Sequence, residues 1–448
     1  MWKKKPYCTK CNKDTLSINF DLFCPYCGSI QNIDPIEGPS KNEIKITNMW
    51  SFNSFLPSLK KVYSLSEGNT PVLHVNNLSS LKGLKLKLEF RNPTGSFRDR
   101  ASSLIASYLY SSSILKLVCS SSGSLSISLS AYSALAGLEL TNIVPSNLEL
   151  SKIEQMKVYG SKVVEHGSTV EEAIERGRKL QERGVFFASS DNILTVEGQK
   201  TIGLEIAHSF ETIENIIIPK GSGSLFYSIY RGFKDALASG WIEQIPSFFA
   251  VSLKHEDLDF YVESLKIPTP LTLSQKINEI LLESKGKEIE IEGEKMIDQA
   301  LLLAKKEGLF IEPASASVVV AAKQLLEKEG INIDSTIALL SGSGLNALNI
   351  FASKLRGIRK AVWGLSEKST TKFEILDLIS QKKANHGYAI WKALGKRKSL
   401  QSIYQHLNEL EEKNLVSSKV RGKNKKYYSI TRKGIDAYSK MRELIDFL

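Results

Sequence analysis

Two pairs of cysteines open the chain, Cys8-Thr-Lys-Cys11 and Cys24-Pro-Tyr-Cys27. Each Cys-x-x-Cys can clamp one side of a tetrahedral cation, and four thiolates close the shell with no open position. The spacing predicts a structural zinc site with no room for a catalytic water. Two disulfides or free thiols would use the same residues, but the compartment argued below disfavours them. A second candidate is Pro219-Lys220-Gly221-Ser222-Gly223-Ser224, which follows an apolar run. Small residues let backbone N–H groups approach an anion there, and a helix starting behind them favours negative charge. An ordinary strand-to-helix turn would carry the same letters. The third candidate is basic: Arg421, Lys423, Lys425 and Lys426 crowd one short segment and suit phosphates.

These residues need elements to hold them. Lys116–Ser120, Leu138–Val144, Lys162–Glu165, Val185–Ala188, Ile216–Pro219, Phe248–Leu253 and Thr336–Leu340 read as short buried strands. Leu84–Phe90 alternates as a further strand. Amphipathic stretches separate most of them, so the expectation to about residue 353 is parallel sheets covered by helices, an α/β fold. Thr94 or Ser96 is expected to cap the helix after Phe97. Cys119 follows Leu117-Val118 and reads as core. At 448 residues the chain has length for two or three domains. It contains no apolar run of about 18 residues and no apolar segment behind its basic N-terminus. A soluble, reducing, cytoplasmic protein is therefore expected.

The net charge of +11 is unevenly placed. Residues 367–448 hold 18 Lys and Arg against 9 Asp and Glu, nearly the whole excess. Such a concentration in a small domain points to a polyanionic partner. Thr371–Ser380 reads as a helix with Phe373, Ile375, Leu376 and Ile379 inward. A second begins at His386-Gly387-Tyr388, and His386 is expected to be structural. A third is capped by Ser399 and turns Leu400, Ile403, Leu407 and Leu410 inward, leaving Gln401, Ser402 and Gln405 outside. Leu415–Val420 and Tyr427–Ile430 form a hairpin whose tip carries the four basic residues. A last helix from Thr431 aligns Ile435, Tyr438, Met441 and Leu444-Ile445. Three helices, a basic hairpin and a closing helix make a winged helix-turn-helix.

The stretch Asn92-Pro93-Thr94-Gly95-Ser96-Phe97-Arg98-Asp99-Arg100 resembles the cofactor-lysine motif of threonine synthases and related fold-type II pyridoxal-phosphate enzymes. In that motif a lysine, which forms the Schiff base with the cofactor, stands where this chain has Arg98. Arginine stays charged and is a very poor nucleophile, whereas lysine can be made neutral and attack an aldehyde. Its planar fork suits carboxylate or phosphate instead. Recruitment of Lys200 or Lys220 is the alternative that keeps an enzyme. Glu67-Gly68-Asn69-Thr70-Pro71, Glu197-Gly198-Gln199-Lys200-Thr201 and Glu312-Pro313-Ala314-Ser315-Ala316 resemble further segments of the family.

Its ligand loop reads Ser-Gly-Asn-Thr-Gly; here Ser122-Gly123 is followed by Ser124-Leu125-Ser126, which removes an amide and puts a leucine toward the ligand. Ser341-Gly342-Ser343-Gly344-Leu345 resembles the loop whose hydroxyl meets the cofactor's ring nitrogen, and Asn346 replaces the usual lysine after it. The resemblance spans roughly residues 5–353. It implies a two-domain, tryptophan synthase β-like core with the ligand between the domains. Arg98, Ser124, Gly221, Ser222, Gly223, Ser224 and Ser341 are then ligand or cofactor residues, with pyridoxal phosphate docking, if at all, without a Schiff base.

The segments His-Gly-Tyr, Ser-Ile-Tyr-Gln-His-Leu and Tyr-Tyr-Ser-Ile-Thr-Arg-Lys-Gly near the end resemble PadR-type regulators. The expected organisation is a zinc ribbon over residues 1–34, a threonine-synthase-like domain over 50–354 and a winged helix over 367–448. The expected function is a DNA-binding regulator, with no catalytic residue. Its enzyme-like half senses an amino acid, a phosphorylated amino acid or pyridoxal phosphate. Ser399, Gln401, Ser402, Gln405 and the four basic residues would face DNA, and the closing helix would pair a homodimer. One alternative is a threonine synthase or a related serine/threonine lyase with a regulatory tail. Another is a protein-binding pseudoenzyme whose winged helix serves only to dimerise.

Overall fold

The computed structural model describes residues 2–13, 20–146, 148–181, 185–254, 265, 267–355, 367–381, 383–394, 399–421 and 425–447. The chain divides into two compact units, Met1–Leu348 and Asn349–Leu448.

In the first unit, β1 (Tyr7–Cys8) and β2 (Gln31–Asn32) pair antiparallel and carry the first cysteine knuckle. Two sheets follow. The smaller is built from β5 (Lys116–Ser120), β6 (Glu139–Val144), β7 (Lys162–Glu165) and β8 (Phe186–Ala188), all parallel, in the order β7-β6-β5-β8. The larger uses β3 (Val72–His74), β4 (Lys85–Lys87), β9 (Asn215–Pro219), β10 (Ser247–Leu253), β11 (Lys287–Ile291) and β12 (Thr336–Leu339). Its order is β11-β10-β9-β12-β4-β3, parallel except for the antiparallel edge pair β3–β4. The parallel strands are apolar because helices cover both faces. Ile216, Ile217 and Ile218 are fully buried.

The helices of this unit are α1 (Arg98–Ser111), α2 (Ser124–Ala136), α3 (Leu150–Val158), α4 (Val170–Gln181), α5 (Ile193–Ser209), α6 (Ser224–Ala238), α7 (Leu271–Glu283), α8 (Gly293–Glu307) and α9 (Pro313–Glu329). α5 packs on α6 and on α1. Gly203 and Gly232 let the α5 and α6 backbones touch, since a Cβ at either would strike the other helix. Buried charge fastens this helix layer. Arg100 pairs with Glu89 at 2.7 Å and Glu205 at 2.9 Å, and Glu205 also holds Lys87. Burial would raise the Glu205 carboxyl, but Arg100 and Lys87 hold it down to about 2.

Some local expectations change. The Leu84–Phe90 strand stops at Lys87, and Glu89–Arg91 turns as a 3-10 helix. The buried Glu89 carboxylate must meet Arg100 and Thr70, which a continued strand would not allow. Neither Thr94 nor Ser96 is the cap residue of α1, which is Phe97. Thr94 donates its amide and hydroxyl to Asp99, at 2.7 and 2.6 Å, so the first-turn carboxylate reaches back to fix the loop. Ser96 Oγ accepts only the Arg98 amide, at 3.3 Å. The edge strands β3 and β11 carry no clear signal, being three residues long or laced with Lys and Glu.

α10 (Leu348–Leu355) follows, and residues 356–366, between the two expected domains, lie outside the described residues. The second unit contains α11 (Glu367–Ser380), α12 (Gly387–Ala393), α13 (Leu400–Glu412), β13 (Val416–Arg421), β14 (Lys425–Ile430) and α14 (Arg432–Phe447). Ile375, Leu376, Ile379, Ile390, Ile403, Leu407, Leu410, Val416, Tyr428 and Tyr438 form its core. His386 is structural: its Nδ1 accepts the Ala389 amide at 3.2 Å and caps α12. Ser399 caps α13 through the Ser402 amide at 3.1 Å. The hairpin runs further than the sequence indicates. Arg421 pairs with Lys425 as the last rung, so Arg421, Lys425 and Lys426 stand on strands, not on a tip. Ile435, expected inside the stripe of α14, is 48% exposed.

Candidate ligand site, metal cluster and nucleic-acid face

Three loops are knitted around Arg98. The Phe97 amide donates to the Ser341 carbonyl at 3.1 Å, and the Ser343 amide donates to that of Gly95 at 2.9 Å. The Glu312 amide donates to the Gly342 carbonyl at 3.0 Å, and the Gly342 amide to Ser315 Oγ at 2.8 Å. Ser341 Oγ lies 2.8 Å from Ser315 Oγ and donates to the Glu312 carboxylate at 3.3 Å. Glycine at 342 leaves room for that carboxylate, which a Cβ there would push aside. The resemblance thus brings together Arg98, Ser341 and Glu312, three residues far apart in sequence.

Arg98 is half-buried, and its guanidinium stacks 4.6 Å from the Phe97 ring. Its Nη1 is sealed from solvent and has no hydrogen-bond partner. Among the described residues no carboxylate comes within ion-pair distance of it. Burial lowers the guanidinium to about 10, with Cys119, Asp191 and Glu312 opposing the drop, so it stays charged at neutral pH. Burial also pushes the Cys119 thiol up to about 12, which leaves it neutral and no counter-ion. An unpaired buried donor of this kind is costly, and its charge and planar fork suit an anion.

The lysines that could replace the missing amine are occupied. Lys200 is fully buried between Glu197 at 2.6 Å and Asp235 at 2.8 Å; these are charge contacts with poor hydrogen-bond angles. Lys220 gives its Nζ to both oxygens of Glu288, at 2.9 and 2.8 Å. Lys87 is held by Glu205 and the Thr70 carbonyl. The site therefore does not fit a covalently held pyridoxal phosphate.

The two helix starts differ from expectation in one respect. Ser124 opens α2, after Gly123 at φ +123°. Leu125, expected to face the ligand, is buried in the core with Leu129 and Tyr132, because the first turn of α2 points it inward. Ser121 Oγ takes the Gly123 and Ser126 amides at 3.1 and 3.2 Å. The Ser124 and Leu125 amides, in the first turn, have no intrahelical acceptor. Gly221, Ser222, Gly223 and Ser224 form the turn into α6, with Gly223 left-handed at φ +86°. That turn is tied to Thr269, not to the loops around Arg98.

Asp191 and Lys152 are the residues that sequence reasoning missed, and Glu312, in a segment the resemblance had singled out, was given no role there. Asp191 follows β8 at the carboxyl edge of the small sheet, beside the Ser121–Ser124 turn that follows the neighbouring β5, where open α/β sheets place ligands. Lys152 on α3 packs its stem against Gly123 and opposes the burial that raises the Glu312 carboxyl. Only chain topology brings Asp191 and Glu312 within reach of the Arg98 charge, and Lys152 within reach of Glu312.

The Sγ atoms of Cys8, Cys11, Cys24 and Cys27 lie within 4.8 Å of one another. Cys8 and Cys27 are 3.4 Å apart, Cys11 and Cys24 3.7 Å. Tetrahedral zinc with bonds of about 2.3 Å needs sulfurs about 3.8 Å apart, so the cluster fits it. Hydrogen bonds from Ser29 pull the Cys27 thiol down to about 6, which supplies a thiolate at neutral pH, while burial pushes Cys8 up to about 11.

In the second unit Gln401 and Gln405 are exposed on α13 and Ser402 is half-buried. Gln405 donates to Glu409 at 3.3 Å, and Lys426 leans 3.6 Å from Glu411. Lys423 and the side chains of Arg421 and Lys425 lie outside the described residues.

Known proteins agree with this division. Residues 63–342 match the family model described as pyridoxal-phosphate dependent enzyme, and the chain belongs to that family. Residues 375–440 match the transcriptional regulator PadR-like family. The enzyme-like part is 30% identical to the threonine synthase of Methanocaldococcus jannaschii over 375 residues, 75% of this chain and 92% of that one. It is 30% identical to the threonine synthase of Halalkalibacterium halodurans, over 68% of this chain and 90% of the other. The fold is shared with processed threonine deaminase isoform 2 from Solanum lycopersicum, at TM-score 0.56 and 17% identity, over 72% of this chain and 91% of that one. No helix among the described residues is long and apolar enough to cross a membrane.

Proposed function

We propose that this protein is a DNA-binding regulator whose enzyme-like half binds a small ligand without covalent chemistry. One observation carries the reading: residue 98 is an arginine whose buried Nη1 lacks a partner, where a reactive amine would have to stand. Arginine cannot form the bond, but it can hold an anion. The PadR-like unit supplies the output, with Gln401, Ser402 and Gln405 toward bases and Arg421, Lys423, Lys425 and Lys426 toward phosphates. The cysteine cluster holds structural zinc and has no part in the chemistry. A ligand shifts DNA binding only if it prefers one arrangement of the chain, and about 1–3 kcal/mol of coupling would suffice.

The second reading is a threonine synthase with a DNA-binding tail. Kinship with enzymes of that name, over three quarters of the chain, favours it, and the comparisons lean this way. The chemistry of residue 98 leans against it. Incubation with O-phosphohomoserine and pyridoxal phosphate separates the two, alongside retention of genomic DNA fragments by the same preparation. Turnover at ordinary enzyme rates would sink the regulator reading; sequence-selective retention without turnover supports it.

A further inference from the structure

The helix assigned to read DNA carries no cation. α13, Leu400–Glu412, contains neither Lys nor Arg. Its inner side is Ile403, His406, Leu407 and Leu410. The opposite side is an exposed stripe at helical spacing: Gln401, Tyr404, Gln405 and Asn408. Tyr404 is 39% exposed, and its ring lies against the start of α12 at Gly387, where a Cβ would run into it. One side of the ring is thereby held and the other left open. Gln405 gives an amide hydrogen to Glu409 and keeps a second one and its carbonyl oxygen. Two of the acids that follow are occupied. Lys372 holds Glu409 at 2.6 Å, and Glu411 accepts Ser418 Oγ at 2.6 Å and lies 3.6 Å from Lys426.

Guanine is read in the major groove chiefly by Arg or Lys on its O6 and N7, and this stripe has neither. Cytosine asks for a free carboxylate, and those of Glu409 and Glu411 are taken. What the stripe offers is side-chain amides, which match adenine N6 and N7, and an aromatic face, which matches the thymine methyl. We infer that α13 recognises A·T pairs, with Gln401, Gln405 and Asn408 on adenine edges and Tyr404 on a thymine methyl, so that no guanine is required in the major groove of the half-site. This rests on reading the second unit as DNA-binding with α13 in the groove; it goes further by naming the bases and by adding Tyr404 and Asn408 to the readers. Lys396, Arg397 and Lys398, just before the helix, lie outside the described residues. Their charge, like that of the wing, suits phosphates, which set the register and carry no sequence.

The test selects duplexes from a random-sequence pool by retention on the full chain at fixed salt, then ranks altered sites by fluorescence anisotropy. Positions where a 7-deazapurine weakens binding mark the major-groove contacts, and these should be adenines. A G·C pair at any one of them should weaken binding roughly five- to a hundredfold. Groove shape can also favour A·T, and inosine separates the two causes. An inosine·cytosine pair shows the major-groove edge of G·C and the minor-groove edge of A·T, and it should bind as poorly as G·C. Uracil in place of the contacted thymine should weaken wild type, and Tyr404→Ala should erase that difference. Asn408→Ala should remove one of the 7-deazaadenine effects, and Gln401→Arg should create a guanine preference at one position. A contacted guanine in the selected half-site, or inosine·cytosine binding as well as A·T, would overturn the proposal. Both are read on wild type, so a variant that fails to fold does not spare it. Retention of no duplex above the random pool sinks the DNA-binding reading and this inference together; selective retention with a contacted guanine sinks this inference alone.

Discussion

Replacing Arg98 by lysine tests the central argument most directly. Burial in this pocket lowers the guanidinium well below its ordinary value, to about 10, despite the opposing pull of Cys119, Asp191 and Glu312. A lysine at the same place would feel the same desolvation. An equal lowering from its ordinary value of ~10.4 puts the amine near about 8, so roughly a tenth is neutral at pH 7. That fraction is enough for attack on an aldehyde, whereas the wild-type guanidinium is almost wholly charged and a poor nucleophile in any case. The full-length R98K chain is incubated with pyridoxal phosphate, reduced with borohydride and digested for peptide mapping. One adduct is expected at residue 98, with an initial rate that climbs between pH 6 and about 8. Wild type should carry none in the cleft. Turnover of O-phosphohomoserine by R98K should remain far below that of an active synthase, because Ser124 stands where the family has an amide. A stoichiometric adduct on wild-type Lys200 or Lys220 would refute the claim that residue 98 decides the chemistry. An R98K chain that stays unlabelled would refute the desolvation argument.

Other outcomes follow from the same geometry. Purified chain should contain one zinc per molecule, and Cys24→Ser should lose it and lower the unfolding midpoint, read by elemental analysis and calorimetry. Glu205→Gln strands Lys87 and weakens the hold on Arg100, and should cost about 3–5 kcal/mol in denaturant unfolding. The Glu205 carboxyl is lower in the folded chain than its ordinary 4.5, so its stabilising share is present above that value and fades as pH falls toward about 2. The Gln variant should show a flatter loss of stability over that acid window. Neutralising Arg421, Lys423, Lys425 and Lys426 together should weaken binding to all DNA and reduce the salt slope, while Gln401→Ala with Gln405→Ala should change sequence preference instead. Equal, salt-insensitive retention by wild type and the wing variant would leave the DNA assignment without support.

Much of the fold was legible because its signals are local. Seven strands fall within a residue or so of their expected bounds; most are apolar because both faces are buried, whereas β7, Lys162–Glu165, is largely exposed and marked only by its two valines. Ser399 and the inward positions of α13 were readable for a similar reason: a cap and a helical stripe are properties of a few consecutive residues. The cysteine cluster was legible from spacing alone. Where the reading failed, a partner from elsewhere in the chain had intervened. Leu125 turned into the core because it stands in the first turn of α2, which begins at Ser124, and Glu89 left its strand to meet Arg100. The hairpin ran past its expected tip because cross-strand pairing, not side-chain charge, decides where a ladder ends.

The sequence by itself determined what residue 98 cannot do, since the chemistry of a guanidinium does not depend on its surroundings to that extent. It also determined the presence of two spaced cysteine pairs, a parallel α/β half and a basic winged half. Only the tertiary structure decided what residue 98 can do instead. Asp191 lies 93 residues away from it in the numbering and carries no local signal, and Glu312, though in a segment the resemblance had singled out, lies far beyond that. Arg98 follows β4 of the large sheet and Asp191 follows β8 of the small one, so it is the packing of two sheets, not any single edge, that brings them within reach of each other's charge.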